Sequence, residues 1–312
     1  MIPYIFDMFL AFPARHAISL TVCVSLAYDE GGEAKRGVAA MAREIYVSRH
    51  DGICKFSSDG KRLQYAALEG AGALCVGKEQ LFCALDEGYA IVRLDPQTLM
   101  QQTVFSGGPG IVQLMLSVDG SRLYALCADA DSVLMLDAQS GTPLIVCRVG
   151  CNPQQMALCD GVLAVAGGES GCVHLLDMHS LEPHGCLSMP GPVYSASLRR
   201  NTVHALCLTQ TLDAQLVTDT PAGRVQLALS GMPGRILTRT DELLVSSNGR
   251  LYAVSADGKR VLREEAAPGR AAALMAVNGQ VLFRDMLSER LLVRGVGGIW
   301  KLLSAETRCV SA

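Results

Sequence analysis

Charge of either sign is scarce in this 312-residue chain: Asp, Glu, Lys and Arg make up 18% of it, and aromatic residues only 5%, with a single Trp. No basic excess exists, the formal net charge being −3. A general nucleic-acid binder needs a basic face for phosphate, so no nucleic-acid partner is expected. Half of the residues are hydrophobic, yet no apolar run reaches the roughly 18 residues that a membrane-spanning helix requires. Disorder is excluded as well, because it demands low hydrophobicity and high net charge. An HExxH metalloprotease box and a nucleophile elbow are both missing, and no Ser-His-Asp set stands out. The pairs Gly107-Gly108 and Gly167-Gly168 open no helix, so they read as turns and not as phosphate loops.

What the chain has in quantity is Gly, 31 of them, and many mark a period. The turns GGPG (107–110), GCNP (150–153), MPGP (189–192), GMPG (231–234) and APGR (267–270) recur every 36 to 43 residues. Each leads into a short apolar run, then a polar turn, then two or three further runs rich in Val, Leu and Ala. Runs of four to eight residues bounded by turn formers read as strands. Four strands in about 40 residues is the arithmetic of a propeller blade. Residues 72–105 form an earlier unit, and 44–68 form one more that lacks a strand. The expected fold is all-β, a seven-bladed β-propeller of four-stranded antiparallel blades over 44–312, preceded by an extension over 1–43. The missing strand could come from the C-terminal tail at 308–312 or from the N-terminal segment. Three readings of 1–43 stand side by side: an export signal built on the apolar run 17–27 after Arg15, a true start at Met41, or a strand that closes the first blade.

The unit at 107–141 resembles the YVTN-type repeat of YncE-like β-propellers, through Pro109, Asp119, Gly120, Leu123, Tyr124, Asp137 and Gly141. The next unit keeps Pro153, Gly161 and Asp177. The resemblance extends over about 44–303 and is strong in two or three units. The same grammar is more distantly similar to that of seven-bladed lactonases, so it implies a fold more firmly than a function.

Residue types within the units follow from strand and turn chemistry. Asp95, Asp137 and Asp177, with Asp219 as a weaker case, end third strands, where an Asp side chain bonds its own backbone two residues on. The chain has 12 Cys, too long a sequence for a disulfide scaffold. Cys83, Cys127 and Cys207 fall at equivalent places in second strands and read as small core fillers. Cys147 and Cys151 flank one turn and could approach each other. A reducing, cytoplasmic setting is expected, or export if 1–27 acts as a signal. The cluster Cys172, His174, His179, His184 and Cys186 has the wrong spacing for zinc, and neither metal nor cofactor is expected.

Propellers bind at the mouth of the central channel, on the face with the blade-to-blade turns and the loops between second and third strands. Those loops hold His50 and Asp51, Asp86 and Glu87, Asp129 and Asp131, Glu169, Asp213, Asn248, and Asp285 and Glu289. Six of the seven carry a carboxylate, which predicts an acidic rim that focuses field at the mouth; wet hairpin tips, where Asp is common, account for the same residues. The position two beyond the turn proline holds Ile111, Gln155, Tyr194, Arg235 and Arg270. Two arginines with Gln and Tyr could grip an anionic group, with carboxylates alongside for acid/base work, or they could neutralise the rim. The leading expectation is a monomeric, non-catalytic binding scaffold for an unknown protein or small molecule. The alternative is a 6-phosphogluconolactonase-type lactone hydrolase. Candidate ligand-binding residues are Arg235, Arg270, Gln155, Tyr194, Asp86, Glu87, Asp129, Asp131, Glu169 and Asp285.

Overall fold

Strands that are apolar on both sides must be covered on both sides. The computed structural model achieves this with seven four-stranded antiparallel sheets set around an axis as the blades of a propeller. It describes residues 22–25, 44–57, 61–85, 89–277, 280–288, 290–294 and 298–303. Blades are numbered here in chain order. The inner strands of blades 2 to 7 are Ala71–Val76, Ile111–Leu116, Gln155–Cys159, Val193–Arg199, Pro233–Thr238 and Ala271–Val277. In blade 1 that place belongs to Val22–Ser25, which pairs antiparallel with Glu44–Arg49, Val22 opposite Val47. The tail at 308–312, the other candidate for this strand, lies outside the described residues.

Second strands show why charge is scarce. From Leu123 to Cys127 in blade 3, every residue is at most 1% exposed. Leu123, Ala125 and Cys127 pack toward blade 2, while Tyr124 and Leu126 pack toward blade 4. Seven apolar clusters follow, one for each blade-to-blade interface. The cluster of Ile45, Val47, Cys54 and Phe56 with Leu282 and Leu291 joins the last blade to the first and closes the ring. Outer strands are covered on one face only, so Leu144 and Val146 of Pro143–Arg148 stand 42% and 64% exposed.

The repeated Asp and Tyr have a joint role. Asp95, Asp137 and Asp177 each accept, at Oδ1, the backbone N–H groups two and three residues on, and the hydroxyl of the latter residue, Thr98, Ser140 or Ser180. Those bonds hold all three carboxyls below the usual range, the backbone N–H of Thr98, Ser140 or Ser180 contributing most. The preceding blade then grasps the turn so formed. Tyr124 donates to the Met178 carbonyl at 2.6 Å, and Tyr46 to the Pro96 carbonyl at 2.9 Å, in each case the residue just after the Asp. Arg93 reaches the Gln139 carbonyl of blade 3 in the same manner, at 3.0 Å.

Cysteine serves mainly as filler. The ten cysteines whose side chains are described are all free thiols, Cys147 and Cys151 included. Burial pushes the thiols of Cys127 and Cys207 up to about 11 and about 12, which leaves them inert. Cys127 and Cys207 do hold equivalent places, opposite Ile111 and Val193 at the start of the inner strands. Cys83 does not: it lies opposite Leu74, and Leu85 takes the equivalent place opposite Ala71. Its side chain still faces the preceding blade, because a shift of two residues keeps a strand side chain on the same face.

Two stability measurements follow. Asp137→Ala removes the turn bonds and is expected to lower unfolding free energy by about 1–2 kcal/mol, read as a lower urea midpoint, with Asp137→Asn closer to wild type. His204 is fully buried, with Nδ1 3.0 Å from Thr218 Oγ1. Burial, and then the charge of Arg199, push its pKa from 6.5 down to about 4. A depressed histidine favours the folded state above its unfolded pKa, and the benefit is lost as pH falls from 6.5 toward 4. Thermal melts across that window should show a loss of up to ~3 kcal/mol that His204→Gln removes. An unchanged acid limb in His204→Gln would show that other groups set the acid stability.

Candidate functional site

An innermost strand has a neighbour on one side only, so backbone groups along the channel wall need partners from elsewhere. Side chains of adjacent blades supply them. Gln113 of blade 3 binds Met156 of blade 4 through both ends of its amide, donating to the carbonyl at 3.2 Å and accepting the N–H at 2.6 Å. Ser195 of blade 5 donates to Gln155 Oε1 at 2.5 Å and accepts the Ile236 N–H of blade 6 at 3.0 Å. One layer along, Thr238 donates to Ser197 at 2.9 Å. Gln155, a predicted ligand residue, is thus part of the lacing between blades.

Three other predicted residues do come together. Arg235 of blade 6 donates from Nε to the Ala272 carbonyl of blade 7 at 3.0 Å and from Nη1 to the Tyr194 carbonyl of blade 5. Arg270 donates from Nε to the Pro233 carbonyl at 2.8 Å, and its guanidinium lies over the Tyr194 ring, 5.0 Å from the centroid. Both side chains are half-buried. Burial brings the Arg235 pKa down to about 10, aided by the like charges of Arg270 and Arg284; burial also lowers that of Arg270. Arg284, a residue that the sequence reading passed over, stands opposite Ala273 on the second strand of blade 7. Its signal is faint in sequence, since it belongs to a second strand, where the pattern predicts core.

The predicted acidic rim is largely turned to structural use. Asp131 accepts the Asn152 N–H at 2.8 Å, and Asp213 the Gly231 N–H at 2.9 Å, each fastening the turn that leads to the next blade. Glu169 meets the Asn152 amide at 3.4 Å, and Asp51 pairs with Arg49 at 3.5 Å. Asp129 packs against Gly110, whose φ of +61° puts a would-be Cβ 2.6 Å from the carboxyl carbon. Asp285 is 6% exposed; it accepts the Arg270 N–H at 3.1 Å and both the N–H and hydroxyl of Ser288 at 2.8 and 2.6 Å. Asp86, Glu87 and Glu289 lie outside the described residues.

Elsewhere the chemistry is sparse. Among the described residues no group of three or more His, Cys, Asp or Glu is placed to hold a metal ion. His184 instead lies 3.8 Å from Asp177. A groove at the opposite end, between blades 6 and 7, is lined by Thr238, Arg239, Asp241, Glu242 and Ala276, and its Arg239 already has Glu242 at 3.4 Å.

No protein-family model and no curated protein matches the chain. Many solved structures share the fold. Hydrazine synthase from Kuenenia stuttgartiensis is similar with a TM-score of 0.66 at 11% identity, over 88% of this chain and 100% of that one. A functionally unknown protein from Desulfotomaculum acetoxidans gives 0.66 at 11% identity, over 82% and 93%. BamB from Moraxella catarrhalis gives 0.57 at 15% identity, over 78% and 77%. These likenesses establish the propeller architecture.

Ser195→Ala would leave the Ile236 N–H and the Gln155 amide oxygen without their shared partner. A loss of about 2 kcal/mol is expected, measured by chemical denaturation, and Ser195→Thr should restore part of it if the hydroxyl bonds are responsible.

Proposed function

We propose that the chain is a non-catalytic, YncE-like binding propeller whose ligand, a protein or a small molecule, docks at the channel mouth on blades 5 to 7. The observation that carries this is the meeting of Tyr194, Arg235 and Arg270 from three successive blades on the channel wall. Both arginine side chains are held by backbone carbonyls, and Arg270 also by the Tyr194 ring, so the wall offers an ordered surface before any ligand arrives. Organisation of this kind lowers the entropic cost of binding. The free thiols suit a reducing, cytoplasmic setting.

A lactone hydrolase is the second reading, favoured by the carboxylate of Asp285 beside Arg270. Acid/base work needs a carboxylate free to reach a substrate proton. Asp285 spends its two oxygens on Arg270 and Ser288, and Ser195 is buried with its hydroxyl engaged on both sides. These engagements support binding over hydrolysis.

Incubation of the full chain with a panel of sugar lactones is the direct test. No turnover above the buffer rate is expected. Turnover that Asp285→Asn or Arg270→Ala abolishes would replace the scaffold with the hydrolase.

A further inference from the structure

An outermost strand leaves one row of backbone N–H and C=O groups without a sheet partner, and proteins guard such edges with charge, proline or breaks in the strand. Every blade ends in a strand of this kind, so the edges can be compared. Pro143–Arg148 of blade 3 pairs, among the described residues, with the third strand Ser132–Asp137 alone. Ile145 and Cys147 pack toward blade 4. Leu144, Val146 and Arg148 therefore share the other face, and all three are exposed. Inward, Val146 stands opposite Leu134, which is buried against blade 2. Pro143 withholds a donor only at the start of the strand. The matching positions of blade 4 are His184, Cys186 and Ser188, and Gly185 lies among them; those of blade 2 are Gln102, Val104 and Ser106. In blade 6 they are Leu262, Glu264 and Ala266, with Glu264 in an ion pair with Arg250. Blade 3 presents instead two large apolar side chains and a cation, Arg148, that has no ion-pair partner among the described residues.

We propose that the outer edge of blade 3 is a docking site for an extended segment of a partner protein, which joins the blade as a fifth strand. A row of alternating backbone donors and acceptors is answered in register by another strand, and those bonds supply affinity whatever the sequence. Side chains then decide which segment fits. Apolar residues at alternate positions cover Leu144 and Val146, and a carboxylate meets Arg148. Cross-strand pairs of these two kinds each favour the right segment, whereas a Lys or Arg in place of the acid sets like charges side by side. The site lies on the rim of the ring, while Tyr194, Arg235 and Arg270 line its axis. It is therefore a second surface, beyond the channel-mouth reading and independent of it.

The test uses the full chain and a fluorescent synthetic peptide of alternating Val and Thr with a Glu at each end, so that either strand direction brings a carboxylate to Arg148. A second peptide carries Lys at both ends. Anisotropy titrations should show saturable binding of the acidic peptide, about tenfold tighter than that of the basic one. Arg148→Glu should reverse the preference. Val146→Lys should weaken both peptides about tenfold; Val146→Ser is a milder variant that reads the same affinity if the first fails to fold. Amide hydrogen exchange should slow across 144–148 when the acidic peptide is bound. Failure of both peptides to bind would overturn the proposal, as would a preference that ignores the charge at position 148, or protection confined to other strands. A dimer in light scattering that Val146→Lys dissolves would give the edge to a second copy of this chain, and would overturn it too.

Discussion

Burial of the middle strands on both faces is the constraint from which the rest of the molecule follows. A strand such as Arg122–Cys127 has no solvent side, so each blade needs two neighbours and the row of blades must close on itself. That requirement explains the low charge, the small residues set among large ones, and the free thiols that behave as core. It also explains why the seam between blades 7 and 1 is apolar like the other six interfaces. Apolar layers are non-directional, however, and cannot alone set how one blade sits on the next. Directed bonds do that: Tyr124 and Tyr46 reach turns that Asp177 and Asp95 have shaped, and Ser195 ties three inner strands at once.

The channel wall applies the same logic at an edge. Inner strands present unpaired backbone to the axis, and the protein meets that need with side chains instead of further strands. Gln113 and Ser195 do so with neutral groups. Blades 6 and 7 add arginine, a longer group that carries a charge and more donors than the backbone consumes. A structural need and a binding capacity thereby share the same side chains, which is why Arg235 has both a lacing role and donors to spare.

Much of the fold is legible in the sequence because its signals are local and repeated. Turn formers at a regular spacing, short apolar runs and Asp at the strand ends each act within a few residues of themselves, and Asp137 behaves in the structure as its position suggests. The site is less legible. The position after the turn does place Tyr194, Arg235 and Arg270 on one wall, but Gln155 shares that position and is taken up by lacing. The acidic loops look alike in sequence, yet Asp131, Asp213 and Asp285 fasten backbone N–H groups, and only geometry distinguishes a fastener from a free charge. Arg284 is hidden because a charged residue in a second strand contradicts the pattern that predicts core there.

Ring closure has a kinetic consequence. The seam joins Ile45 and Val47 to Leu282 and Leu291, residues from nearly opposite ends of the described chain, while the hairpins within each blade involve near neighbours. Bringing such distant segments together costs only about 5 kcal/mol of chain entropy once, but none of it is returned until the last blade docks. Arcs of blades can form early from local contacts, each arc ending in two uncovered apolar faces. Folding should thus be slow at its final step, and at high concentration an open arc can meet the end of another chain before its own.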